Sequence, residues 1–105
     1  MEGDRKIAVL GDMLELGEHA TSSHVEVGKA VKEAGIDMLV VVGQLAKLIA
    51  RGAIDAGMPV SAVTEYEDSY QAARELTQKM RNRDVVLVKG SRAMKMERIV
   101  EGLLA

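Results

Sequence analysis

Lys89-Gly-Ser-Arg92 is the segment whose residue types and spacing suit it best to chemistry. Its two cations carry full charge, and the guanidinium of Arg92 presents a planar fork that matches a carboxylate or a phosphate. Val85–Val88 immediately before it are four apolar residues, three of them β-branched, which predicts a strand buried on both faces. Met96, Ile99, Val100, Leu103 and Leu104 then recur at helical spacing, so a helix is expected to follow at once. A small basic loop between a buried strand and a helix start suits an anion, because helix-terminal N–H groups point outward and the macrodipole adds partial positive charge. The competing reading is that Gly90 only makes the turn, Ser91 only caps the helix, and the cations are solvated. Strand–loop–helix units are common, so the loop taken alone slightly favours that structural reading.

A second segment of interest is Gly11-Asp-Met-Leu-Glu-Leu-Gly17. It is neither G-x-G-x-x-G nor G-x-x-x-x-G-K-[ST], and bulky Met13, Leu14 and Leu16 do not permit close backbone approach to a pyrophosphate. Asp12 is suited to sugar hydroxyls or a cation, or, as a turn residue, to its own backbone. Glu15, Glu18, His19 and His24 are metal-ligand types without metal-ligand spacing, so no metal site is expected within this chain. His24 is expected to pack or hydrogen-bond rather than to catalyse. The seven methionines read first as core filler.

Both segments need elements to position them. Lys6–Leu10 reads as a strand ending at Gly11, followed by a Gly-, Asp- and Glu-rich loop to about Ser22. Ser23 with Glu26 fits a capping box for a helix whose apolar stripe is Val27, Ala30, Val31 and Ala34, with Gly35 as its stop. Met38–Val42 is a second buried strand, closed by Gly43. Leu45, Leu48, Ile49, Gly52 and Ala53 mark a second helix, stopped around Gly57-Met-Pro59. Val60–Val63 is expected as a short third strand. Asp68 with Gln71 caps a third helix through Ala73, Leu76 and Met80, ended by Asn82. Met1–Arg5 are expected to be an appended start outside the native fold. This alternation predicts one α/β domain over residues 1–105: a Rossmann-like three-layer αβα fold with a mainly parallel sheet of strand order 3-2-1-4. Its switch point falls between the first and fourth strands, and ligands of such sheets bind beyond the strands' carboxyl ends there. Asp12 and the 89–92 loop converge on that crevice, which moves the balance toward a functional reading.

Composition narrows the function further. At 105 residues the chain can bury roughly 65% of its unfolded surface. It has no cysteine, hence no disulfide framework and no thiolate chemistry, which is compatible with the cytoplasm. A formal net charge of −2 offers no general attraction for nucleic acid or membrane, and two tyrosines as the only aromatics leave almost no stacking platform for bases. No run is long enough to span a membrane.

Ile7-Ala-Val-Leu-Gly-Asp-Met-Leu-Glu-Leu-Gly17, His24 with Val27-Gly28, and Val88-Lys-Gly-Ser-Arg92 with Met94-Lys-Met-Glu97 resemble, in this order and separation, the C-terminal domain of the Mur ligases. The branch they resemble joins D-alanyl-D-alanine to UDP-N-acetylmuramoyl-tripeptide in peptidoglycan synthesis, and the likeness runs from about Lys6 to Leu104. It implies a cytoplasmic three-domain enzyme: a UDP-sugar domain, a central P-loop ATPase holding most of the contacts to ATP and Mg2+, and a closing C-terminal domain. It also implies an acyl-phosphate route in which the dipeptide amine attacks the activated carboxylate. Carried over by position, Asp12 lies on the nucleotide side and Lys89, Gly90, Ser91 and Arg92 on the dipeptide side, with no catalytic residue in this chain. The P-loop lysine, the magnesium-ligand set and the UDP-sugar domain are missing, so the chain is expected to be an excised domain, inactive without the N-terminal and central domains. Two alternatives are a Rossmann-like small-molecule-binding or regulatory module unrelated to ligation, and a structural domain assembling through a sheet edge or helix face. Neither accounts for both motif strings.

Overall fold

β1 (Lys6–Gly11) and β2 (Met38–Val42) are nearly continuous apolar runs because each lies between two other strands and is covered on both faces. The structure, a computed structural model, describes residues 4–14 and 16–104. β3 (Val63–Tyr66) and β4 (Val85–Lys89) complete an all-parallel four-stranded sheet of order β3-β2-β1-β4, the order expected from the sequence. The chain steps outward from β1 through α1 (Ala20–Glu33), β2 and α2 (Ala46–Asp55) to β3. It then returns through α3 (Ser69–Lys79) to β4 and ends in α4 (Glu97–Leu104).

The period-2 alternation of the strands sorts the core into two layers. Ala8, Leu10, Leu39 and Val41 pack with Val31 of α1 and Ile49 and Ala53 of α2. Ile7, Val9, Val40 and Val42 pack with Leu76 of α3 and Ile99 of α4. The helices α1 and α2 meet at glycines: a Cβ at Gly28 would collide with the Ile49 carbonyl and lie 2.6 Å from the Ala53 nitrogen, and one at Gly52 would collide with the Val25 carbonyl.

Several expectations change. The third strand is Val63–Tyr66, because Val60–Ala62 form a 3-10 turn after Pro59. Ser23 does not cap α1: a 3-10 turn at Gly17–His19 feeds the helix directly, so Ser23 lies inside it. Asp68 does cap α3, its Oδ1 accepting from the Gln71 N–H at 2.9 Å. That helix ends at Lys79 rather than Asn82, since Met80 is extended and the chain turns through Arg81–Asp84. β4 is not buried on both faces. It is an edge strand whose Val86 and Val88 are half-buried while Val85 and Leu87 stay 51% and 58% exposed, since no described helix covers it on the α1 side. Arg5 belongs to the fold, contrary to expectation. Its guanidinium binds both carboxylate oxygens of Asp84 (3.1 and 2.7 Å) and its carbonyl accepts from the Val85 N–H. Met1–Gly3 lie outside the described residues.

Candidate functional site

At the carboxyl ends of β1 and β4 the two chemistry-bearing segments meet. β4 runs beside β1 with Lys89 opposite Leu10, so the next residues of each strand face each other across the crevice. Gly90 sits so close to β1 that a Cβ there would lie 3.2 Å from the Gly11 Cα and 2.9 Å from the Met96 Cγ. A side chain would push the loops apart. Ser91 then joins them twice: its N–H donates to the Asp12 carbonyl (3.0 Å), and its hydroxyl oxygen accepts from the Leu14 N–H (2.7 Å).

Asp12 is 8% exposed, and its Oδ1 accepts from the Ala46 N–H at 2.6 Å. Ala46 opens α2, so this carboxylate satisfies a free N–H of the helix start and sits where the dipole favours negative charge. Gly43, at φ +109°, leaves room for it: a Cβ there would be 2.6 Å from Asp12 Oδ1. Asp12 thus ties β1 to α2 while its carbonyl ties β1 to the 89–92 loop. One oxygen of the residue expected on the nucleotide side is already occupied by the fold.

The expected helix start after Ser91 is absent. Arg92–Met94 form a 3-10 turn, Lys95 is left-handed at φ +51°, and α4 begins only at Glu97. Arg92 is therefore not at the N-terminus of α4, and Ser91 serves Leu14 rather than a helix cap. Lys89 and Arg92 are both exposed and take part in no ion pair among the described residues. Arg92 is available to a ligand, but at the start of a single 3-10 turn rather than of α4.

The structure has two depressions, the first bordering these loops and the second beyond the 3-10 turn that follows them. One, of about 310 Å³, lies between α1 and the open face of β4, lined by Met13, Val27, Val31, Leu87, Lys89 and Gly90 among others. The second, of about 380 Å³, is lined by Glu67, Asp68, Ser69, Met94, Lys95 and Arg98, with the Arg98 guanidinium 3.6 Å from the centre of the Tyr70 ring. Lys95 and Arg98 were not identified by sequence reasoning. Lys95 stands within the Met94-Lys-Met-Glu97 string, but only the turn before α4 brings it opposite the start of α3.

His24 was expected to pack or to hydrogen-bond, and it does both. It is fully buried on α1, its Nε2 accepts from the Met13 N–H (3.0 Å), and its Nδ1 lies 2.5 Å from the Ala20 carbonyl. His19 is exposed, and Glu15 lies outside the described residues. No group of three potential metal ligands occurs among the described residues.

Residues 1–92 match the family model described as Mur ligase, glutamate ligase domain. The UDP-N-acetylmuramoyl-tripeptide–D-alanyl-D-alanine ligase of Bacillus subtilis is 40% identical over 102 residues, 95% of this chain and 22% of the relative. That of Escherichia coli is 36% identical over 93% of this chain and 21% of its own length. Among solved structures, the MurF ligase of Thermotoga maritima in complex with ADP superposes with a TM-score of 0.72 at 29% identity, covering 95% of this chain and 22% of that one. A MurF structure from Acinetobacter baumannii gives 0.75 at 28% identity, with the same coverage. The chain thus spans about a fifth of the length of the relatives it matches.

Proposed function

Because the chain belongs to the Mur ligase family, as the C-terminal domain of its UDP-N-acetylmuramoyl-tripeptide–D-alanyl-D-alanine ligases, we propose that it positions substrate in the ATP-dependent joining of that dipeptide to the tripeptide precursor. The observation that carries this reading is the double link from Ser91 to Asp12 and Leu14, which fuses both motif strings into one surface at the switch point of the sheet. Exposed Arg92 and Lys89 give that surface its positive charge, suited to the dipeptide carboxylate, with Ser91 and Gly90 fixing the loop that bears them. Asp12 faces the nucleotide side, where its contribution is limited by its bond to Ala46.

Among the described residues no three potential metal ligands come together, and neither loop carries a nucleotide-phosphate fingerprint. Phosphoryl chemistry is accordingly assigned to the rest of the enzyme, and this domain supplies orientation of the incoming amine. The reaction belongs to peptidoglycan synthesis and takes place in the cytoplasm. No described helix is long and apolar enough to cross a membrane. The test uses a full-length ligase containing this chain, supplied with the UDP-tripeptide, D-alanyl-D-alanine and Mg-ATP. Dipeptide-dependent formation of the extended precursor with phosphate release is expected. Its absence would overturn the reading.

A further inference from the structure

His24, with no opening to solvent and both ring nitrogens within hydrogen-bond reach of backbone, is a buried polar group that the proposed function leaves unused. Met13 N–H can only donate, so His24 Nε2 must be the bare, accepting nitrogen. The ring proton is then on Nδ1, donating to the Ala20 carbonyl. Met13 lies between the two residues that hold the opposite loop: Asp12, whose carbonyl accepts from Ser91, and Leu14, whose N–H donates to the Ser91 hydroxyl. His24 therefore fixes, from α1, the middle of a three-residue strip whose ends fix the loop carrying Lys89 and Arg92.

We infer that His24 is a positioning residue for the dipeptide, acting through Met13 and Ser91 by the acceptor character of its Nε2. The inference rests on the proposed ligase role. It assigns His24 no contact with substrate.

Two amide replacements separate positioning from mere packing, because each keeps one of the ring's two bonds. Gln places an oxygen near the position of Nε2 and can still accept from Met13. Asn places its amide near Nδ1, can still donate to Ala20, and leaves Met13 without its acceptor. In the full-length ligase, His24→Asn should raise the apparent KM for D-alanyl-D-alanine about five- to tenfold with little change in the KM for ATP, corresponding to loss of one hydrogen bond. His24→Gln should restore the dipeptide KM to within about twofold of the parent, even if both variants melt at equally reduced temperatures. Adding Ser91→Ala to His24→Asn should raise the KM no further than the larger single effect, since both break one chain of contacts. Equal dipeptide KM values for the Asn and Gln variants, or additive effects with Ser91→Ala, would overturn the inference. Should the Asn variant not fold, amide hydrogen exchange decides: Met13 and Leu14 protected alike in the parent and the Gln variant supports the inference, and loss of that protection in the Gln variant refutes it. A parent enzyme without dipeptide-dependent activity would instead refute the ligase reading on which the inference rests.

Discussion

Ser91 and Arg92 are neighbours with opposite relations to the fold. The Ser91 hydroxyl holds the Leu14 N–H at 2.7 Å, whereas Arg92 is exposed and unpaired among the described residues. In the full-length ligase, Arg92→Ala should raise the dipeptide KM about ten- to a hundredfold, the loss of a charge-assisted hydrogen bond worth roughly 1.5–3 kcal/mol, and leave thermal stability unchanged. Ser91→Ala should lower stability by about 1 kcal/mol and raise the dipeptide KM less. Steady-state kinetics with thermal melts on both variants checks the pair. A drop in melting temperature for Arg92→Ala with unaltered kinetics would make that side chain structural. Arg92 as an exposed cation could be read from residue type, while the function of Ser91 could not. Its partner is 77 residues away in sequence, and the local pattern pointed to a helix cap.

Between elements, contact is set by two devices of different chemistry. The α1–α2 crossing depends on Gly28 and Gly52 because backbone occupies the space of their missing side chains. Gly28→Ala should cost about 3 kcal/mol by forcing the helices apart, a fall in Tm on the order of 10 °C or more. A scanning-calorimetry melt within about 2 °C of the parent would contradict this crossing geometry. The starts of β1 and β4 are joined instead by Arg5 and Asp84. The hydrogen bonds from Arg5 hold the Asp84 carboxyl below its ordinary range, assisted by the Arg81 N–H, and hydrogen bonding to Asp84 raises the guanidinium of Arg5. A carboxyl depressed in the folded state stabilises above its unfolded value, about 3.9, and loses that contribution as pH falls through its folded value. Asp84→Asn should therefore lower Tm by a few degrees at neutral pH, with the difference closing below about pH 4 as the parent's carboxyl is protonated. A Tm difference that persisted undiminished in acid would exclude the ion pair as its cause.

At the scale of the whole molecule, the surface proposed to orient substrate carries the exposed Lys89 and Arg92, and no group of three potential metal ligands occurs among the described residues. Purified alone and given the UDP-tripeptide, dipeptide and Mg-ATP, the chain should release no phosphate above the enzyme-free blank, as a colorimetric phosphate assay would record. Measurable turnover would place the ATP chemistry in this domain. The amino-acid order alone determined the layer architecture, the strand order and the convergence of the two loops. Apolar runs, helical periodicity and the handedness of parallel crossovers are local or generic constraints, and each is visible in a single chain. It also determined the family resemblance, carried by the strings around Asp12 and Arg92. Tertiary structure decided what local pattern could not encode. β4 became a half-exposed edge because burial depends on what packs over a strand, not on its own composition. The 89–92 loop was separated from α4 by a 3-10 turn and the left-handed Lys95. Asp12, Met13 and Leu14 were divided among α2, His24 and Ser91, because hydrogen-bond partners distant in sequence are chosen only when the backbone brings them within 3 Å.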